Sequence, residues 1–205
     1  MWSKKEQFLL WVLAYLPLMG IFLLKFTLEN KLIPRSIQGV WGKLPQTSEK
    51  VTELIYAIII VVFGLFLGVL ITRIALKKAK ESTSSISEVY IKKYAKPKAE
   101  HYSFFLITML LPLFSLDVKS VTNLLGGLLI LGIIILIYVK TDSISTNPLF
   151  FVIGRNVFQA EITSTSGSGI RKNVFLISED GYLDLSEEFR IQHLVGDVYY
   201  IISSR

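Results

Sequence analysis

The sequence predicts an integral membrane α-helical protein with four transmembrane helices and a small C-terminal all-β domain. Two observations carry the helical part. Four apolar stretches run Phe8 to Leu24, Leu54 to Thr72, Tyr102 to Leu116 and Val121 to Val139, and the 52% hydrophobic content lies in such blocks rather than at a core-forming period. A bilayer core of about 30 Å takes roughly 20 apolar residues as helix, a length that the first, second and fourth stretches meet. A third observation carries the β part: after Lys140 the blocks give way to alternating apolar and polar residues cut by turn signals.

Lys4 and Lys5 precede the first stretch, whose apolar run continues through Met19-Gly20-Ile21 to Leu24 with no small-x-small cleavage site before Lys25. It therefore reads as an uncleaved anchor, with Pro17 expected to kink it. The second stretch has no charge, and Arg73, Lys77, Lys78 and Lys80 follow at once, a stop-and-anchor pattern. The third would extend only about 22 Å as straight helix and contains Pro112. It either spans, by thinning the bilayer or borrowing flanking residues, or is re-entrant; the count of four takes it as a span. Asp117 to Ser120 is expected as a tight turn into the fourth.

Charge sets the orientation. The loop from Arg73 to His101 holds eight Lys or Arg, against four between Glu29 and Glu53, which puts the basic loop and both termini in the cytoplasm. The loop with Pro34, Trp41 and Pro45 is then outside. A transmembrane domain over 1–140, containing the basic loop 73–101, thus precedes a cytoplasmic β domain over 141–205.

In the tail Asn147-Pro148 reads as a turn, Leu149 to Ile153 as a strand, and Val157 to Ser164 as a second strand starting after Gly154. Thr165 to Gly169 reads as a hairpin loop. Lys172 to Ser178 and Asp197 to Ser203 are further strands, and Asp180-Gly181 is a type I′ hairpin signal. About five short strands make a small barrel or sandwich, whose marginal core favours docking on helices or on other subunits.

Gly64 and Gly68 form a G-x-x-x-G pair on one face of the second span, and Gly126, Gly127 and Gly132 form a small-residue surface on the fourth. Both surfaces suit helix packing, within or between protomers. None of the four apolar cores holds a charged residue or histidine, which argues against a proton-coupled transporter. Asn123 is their main polar side chain. Lys77, Lys78, Lys80, Lys92, Lys93, Lys96 and Lys98 fix topology and form a candidate surface for lipid headgroups, nucleic acid or an acidic partner. Tyr90 and Tyr94 interleave with them, as an amphipathic juxtamembrane helix or as base-stacking residues.

Glu179, Asp180, Asp184, Glu187 and Glu188 lack calcium-loop spacing and read as a solvated acidic loop, with Glu187 and Glu188 as candidate partner contacts. His101 and His193 stand apart with no nucleophile motif, and the chain has no cysteine. Gly167-Ser168-Gly169 lacks the lysine of a phosphate loop. No catalytic or metal site and no cofactor is expected.

The four spans, the basic loop between the second and third, and the tail opening Asn147-Pro148-Leu149-Phe150-Phe151-Val152-Ile153-Gly154 resemble the KwaA family, the membrane component of Kiwa anti-phage systems. The resemblance covers most of the chain and rests on architecture, size and that N-P-x-x-x-x-x-G segment. It implies a bacterial inner-membrane protein that forms homo-oligomers, senses infection and works with a cytosolic DNA-binding partner, KwaB. No direct nucleic-acid contact is expected of this chain. Only a structural role carries onto Asn147, Pro148 and Gly154. The expected function is a membrane sensor or scaffold that recruits that effector, with an oligomeric channel or pore-forming subunit as the alternative.

Overall fold

The computed structural model describes residues 2–33, 49–81, 86–97, 103, 105–108, 120–164 and 171–204. Helix α1 (Lys4–Glu29) opens with a capping box, in which Ser3 Oγ accepts from the Glu6 amide and the Glu6 carboxylate accepts from the Ser3 amide. It continues as helix through Pro17. Helix α2 (Glu49–Glu81) runs antiparallel to it, because Gly20 meets Ile60, Gly64 meets Pro17 and Gly68 lies over the Leu13 carbonyl. Pro17 has no N–H to donate to that carbonyl, so two irregularities of the helices sit together. Helix α3 (Val121–Lys140) is N-capped by Ser120, whose Oγ accepts from the Asn123 amide at 3.1 Å, and returns to the start of α1.

Each of these three helices is long and apolar enough to cross a membrane. Of the third apolar stretch only residues 103 and 105–108 are described, all helical, so Pro112 and the expected turn at Asp117 lie outside the described residues, as do Pro34, Trp41, Pro45 and His101.

The described residues form five strands: β1 (Ile86–Ala95), which precedes α3, then β2 (Asn156–Ser164), β3 (Arg171–Ser178), β4 (Glu188–Val195) and β5 (Val198–Ser204). They close a barrel in the cyclic order β1-β2-β3-β5-β4, antiparallel except for the parallel pair β3 and β5. This is the topology of the OB barrel, a five-stranded Greek key. Here its β1–β2 connection contains α3, and its β4–β5 connection is the two-residue turn Gly196-Asp197, with Gly196 at φ +53.

Three expectations are corrected. The basic loop supplies β1 rather than an amphipathic helix, so the barrel draws a strand from 86–95, well before the tail. Residues 149–153 do not form a strand: Pro148 stands in the αR region and Asn147 Oδ1 accepts from the Leu149 amide at 3.0 Å, which starts the short helix α4 (Leu149–Val152). A five-residue apolar run looks the same in either state by periodicity. Asp180-Gly181 does not close a hairpin, because β5 stands between β3 and β4. The expected strands near 157–164, 172–178 and 197–203 form, and β2 pairs β3 as expected, with their connecting loop outside the described residues.

Two cores result. Val89, Ile91, Phe158, Leu176, Phe189 and Ile191 fill the barrel. The other core runs without a break from Trp11, Leu18 and Ile135 of the helices through Phe150 to Val157, Ile177, Val198 and Tyr200 on the barrel wall.

Candidate functional site

The helix ends and the barrel wall meet in a junction held by polar contacts around that shared core. Lys4 Nζ donates to the Val139 carbonyl at 2.9 Å and pairs with Asp142 at 2.6 Å, placing a cation at the C-terminal end of α3, where the helix dipole favours it. Asp142 holds a left-handed conformation, φ 51, which is uncommon for a residue other than glycine. The Trp2 amide donates to the Leu194 carbonyl of β4 at 2.7 Å, and the Trp2 ring stacks on Phe150 with centroids 6.5 Å apart. Asn147, almost fully buried, donates to the Leu10 carbonyl at 3.3 Å. The tail's opening segment is thereby fastened to α1.

Glu179, just past β3, receives the Tyr200 hydroxyl at 2.8 Å and Arg155 at 2.9 Å, and its carboxylate lies 3.9 Å from the Lys80 ammonium of α2. The Tyr200 hydrogen bond, aided by Arg155 and Lys80, holds the Glu179 carboxyl below the usual range, while burial pushes the Tyr200 phenol up. Glu179 is therefore a joint of the junction even though its side chain is nearly half exposed. Of the other acidic residues, Asp184 folds onto Ser186, whose amide and hydroxyl it receives at 2.9 and 2.7 Å. Glu187 and Glu188 sit at the start of β4, with Glu188 opposite Tyr90 of β1.

The lysines divide into two places. Lys77, Lys78 and Lys80 stand on the last turns of α2, where Lys77 lies 3.8 Å from Glu81. Lys92 and Lys93 are exposed on β1, and Lys96 is exposed just after it; Lys98 lies outside the described residues. The glycines divide as well. A Cβ on Gly64 would meet the Pro17 ring at 3.2 Å, and one on Gly68 would meet Leu149 at 2.8 Å, so this pair packs α2 against α1 and α4 of the same chain. Gly127 is buried on α3, while Gly126 and Gly132 face open space.

The helix interior is more polar than the sequence reading had it. Asn123 is exposed at the start of α3. Buried polar groups include Thr52 and Thr72 of α2, Trp11, stacked on Tyr138 at 4.1 Å, and the hydroxyls of Tyr15 and Tyr138, with the half-buried Thr108 lying 3.2 Å from Tyr15 and 3.4 Å from Tyr138. Gln7, 1% exposed, has neither amide atom hydrogen-bonded. Gln7, Trp11 and Tyr15 recur every four residues on α1, a one-face spacing that was present in the sequence. His193 Nε2 lies 2.8 Å from the Gly196 carbonyl beside the Tyr199 ring, a structural position. Among the described residues no His, Asp or Glu group is arranged for a metal ion.

Long apolar helices fastened through a continuous core to an OB-topology barrel define a helical protein that carries a β-barrel at one end of its bundle. The model of the anti-phage protein KwaA family matches residues 6–200, nearly the whole chain, and this protein belongs to that family, whose function is anti-phage defence. No curated protein and no solved structure matches it.

Proposed function

We propose that this chain is the membrane-embedded sensor and scaffold of its anti-phage system: its helices lie in the bacterial inner membrane, and its barrel recruits a soluble DNA-binding effector. It works as a homo-oligomer, without a catalytic centre of its own. The observation that carries the reading is the unbroken core from helix interior to barrel wall, reinforced where Lys80 of α2 meets Glu179. A close-packed interior transmits a displacement rather than absorbing it, so a tilt of α1 or α2 in a disturbed bilayer shifts the barrel.

Four crossings fit the same geometry. The start of α1, the end of α2 and the end of α3 all lie at the barrel, whereas α3 begins at the opposite end of the bundle. That arrangement supports a fourth crossing between β1 and α3. The positive-inside bias puts the barrel end in the cytoplasm.

The test is membrane pull-down from cells carrying the neighbouring defence genes. The soluble DNA-binding partner is expected to co-purify with the wild type, and Glu187→Lys with Glu188→Lys to reduce its recovery without changing insertion. Absence of that partner from the wild-type membranes would favour the channel reading instead.

A further inference from the structure

We propose that the free outer face of the barrel, centred on β1 and the adjoining halves of β2 and β3, binds single-stranded nucleic acid. The way β1 is built motivates this. Its first half alternates, with Val89 and Ile91 in the barrel core and Tyr90 and Lys92 outward. Strict alternation would continue with Lys93 inward and Tyr94 outward. Instead the register against β2 shifts between Ile91 and Lys93, leaving Lys92 as the extra residue of a bulge. Lys93 is thereby turned out beside Lys92. Tyr94 is turned in, edge-on to Phe158, and its hydroxyl accepts from the Leu183 amide at 3.3 Å. The outer face thus carries two adjacent lysines where an unbroken strand would offer one.

Beside them lies a cleft of about 450 Å³ whose lining includes Lys93, Gln159, Glu161 and Asn173 together with Tyr94 and Ala160. The two amides supply donors and acceptors for base edges, while Glu161 stands opposite Lys93 in the β1–β2 register. Tyr90, 41% exposed, supplies a ring on which a base can stack, and Lys92, Lys93 and Lys96 supply cations for phosphates.

Two observations favour this ligand among anionic ones. No buried residue of β1 belongs to the core shared with the helices, so that core does not cover its outer face. The strand order is that of the OB barrel, whose β2–β3 face binds oligonucleotides. In this chain the membrane-proximal part of that face, at Val157, Phe175 and Ile177, is packed on the helices. The site is what remains, which suits the lower end of the roughly 4–16 nucleotides that OB folds cover.

Fluorescence anisotropy of the full chain in neutral detergent, with a labelled oligothymidine of about 12 nucleotides, tests the proposal without any partner protein present. Binding is expected, with log affinity falling against log salt at a slope of about −2, from three lysine–phosphate contacts at about −0.7 each. Tyr90→Ala should weaken it roughly fivefold or more, the loss of one base stack. Lys92→Ala with Lys93→Ala should weaken it about tenfold, Lys92→Arg with Lys93→Arg should preserve it, and Lys77→Ala with Lys78→Ala should leave it unchanged. No binding at low salt, unchanged affinity in the Lys92 and Lys93 alanine variant, or equal loss in the Lys77 and Lys78 variant would overturn the proposal. So would displacement of the oligonucleotide by anionic lipid vesicles or by polyglutamate at equal charge concentration.

Discussion

Glu179 shows how much one side chain does at the junction, since its carboxylate touches β5 through Tyr200, the approach to β2 through Arg155 and the end of α2 through Lys80. Its folded value is depressed, so its contribution is present above the ordinary glutamate value of about 4.3 and is lost as pH falls through the lower folded value. Tyr200 is raised, so its contribution is present below the ordinary tyrosine value of about 10 and is lost as pH rises through the higher folded one. Glu179 is nearly half exposed, and solvent screening keeps its effect modest. Thermal unfolding in detergent, followed by tryptophan fluorescence, should show the wild type losing stability below pH about 4 more steeply than Glu179→Gln. Identical acid limbs would remove Glu179 from the junction's energetics. The sequence showed the residue but not its partners, because Arg155, Lys80 and Tyr200 lie 21 to 99 positions away and converge only when the barrel docks.

Gly64 and Gly132 test how the helical elements use their small residues. Both look alike in sequence, as glycines inside apolar runs. On α2 the Pro17 ring and backbone nitrogen stand 3.2 and 3.3 Å from a Gly64 Cβ, and neither can rotate away; on α3 nothing lies within 4 Å of one at Gly132. Gly64→Leu should therefore lower stability by about 1–3 kcal/mol through overpacking, while Gly132→Leu should change it by less than about 0.5 kcal/mol in the monomer. Comparison of thermal midpoints in mild detergent checks the pair, and an equal loss in both would show that Gly132 is covered by another copy. Among the strands, β1 was the least legible. Its Val89 and Ile91 alternate for only two positions before the bulge at Lys92 breaks the period, whereas Phe158 to Thr163 alternates unbroken and Val174 to Ile177 is a continuous apolar run bounded by polar residues.

Taken as a whole molecule, the barrel ties the segment after α2 to the end of the chain. Ser84 lies two residues before β1 and Ser203 lies on β5, two strands of one closed barrel. Single cysteines at Ser48, Ser84 and Ser203 in this cysteine-free chain, probed with an impermeant thiol reagent in intact cells, should label at Ser48 alone. Labelling at Ser84 and Ser203 without Ser48 would invert the orientation, and labelling at only one of the barrel pair would contradict barrel closure.

The sequence by itself determined the three long apolar helices, the strands near 157–164, 172–178 and 197–203, and the family resemblance in architecture and tail segment, but not β4, since hydropathy and periodicity are local properties of neighbouring residues. It did not determine that the basic loop gives up Ile86–Ala95 to the barrel, that β5 inserts between β3 and β4, or that Gly64 and Gly68 face Pro17 and Leu149 of the same chain. Those were decided by tertiary structure. Strand partners and packing faces are chosen by which distant surfaces close the barrel and bury the shared core together, and no window of sequence contains both halves of such a contact.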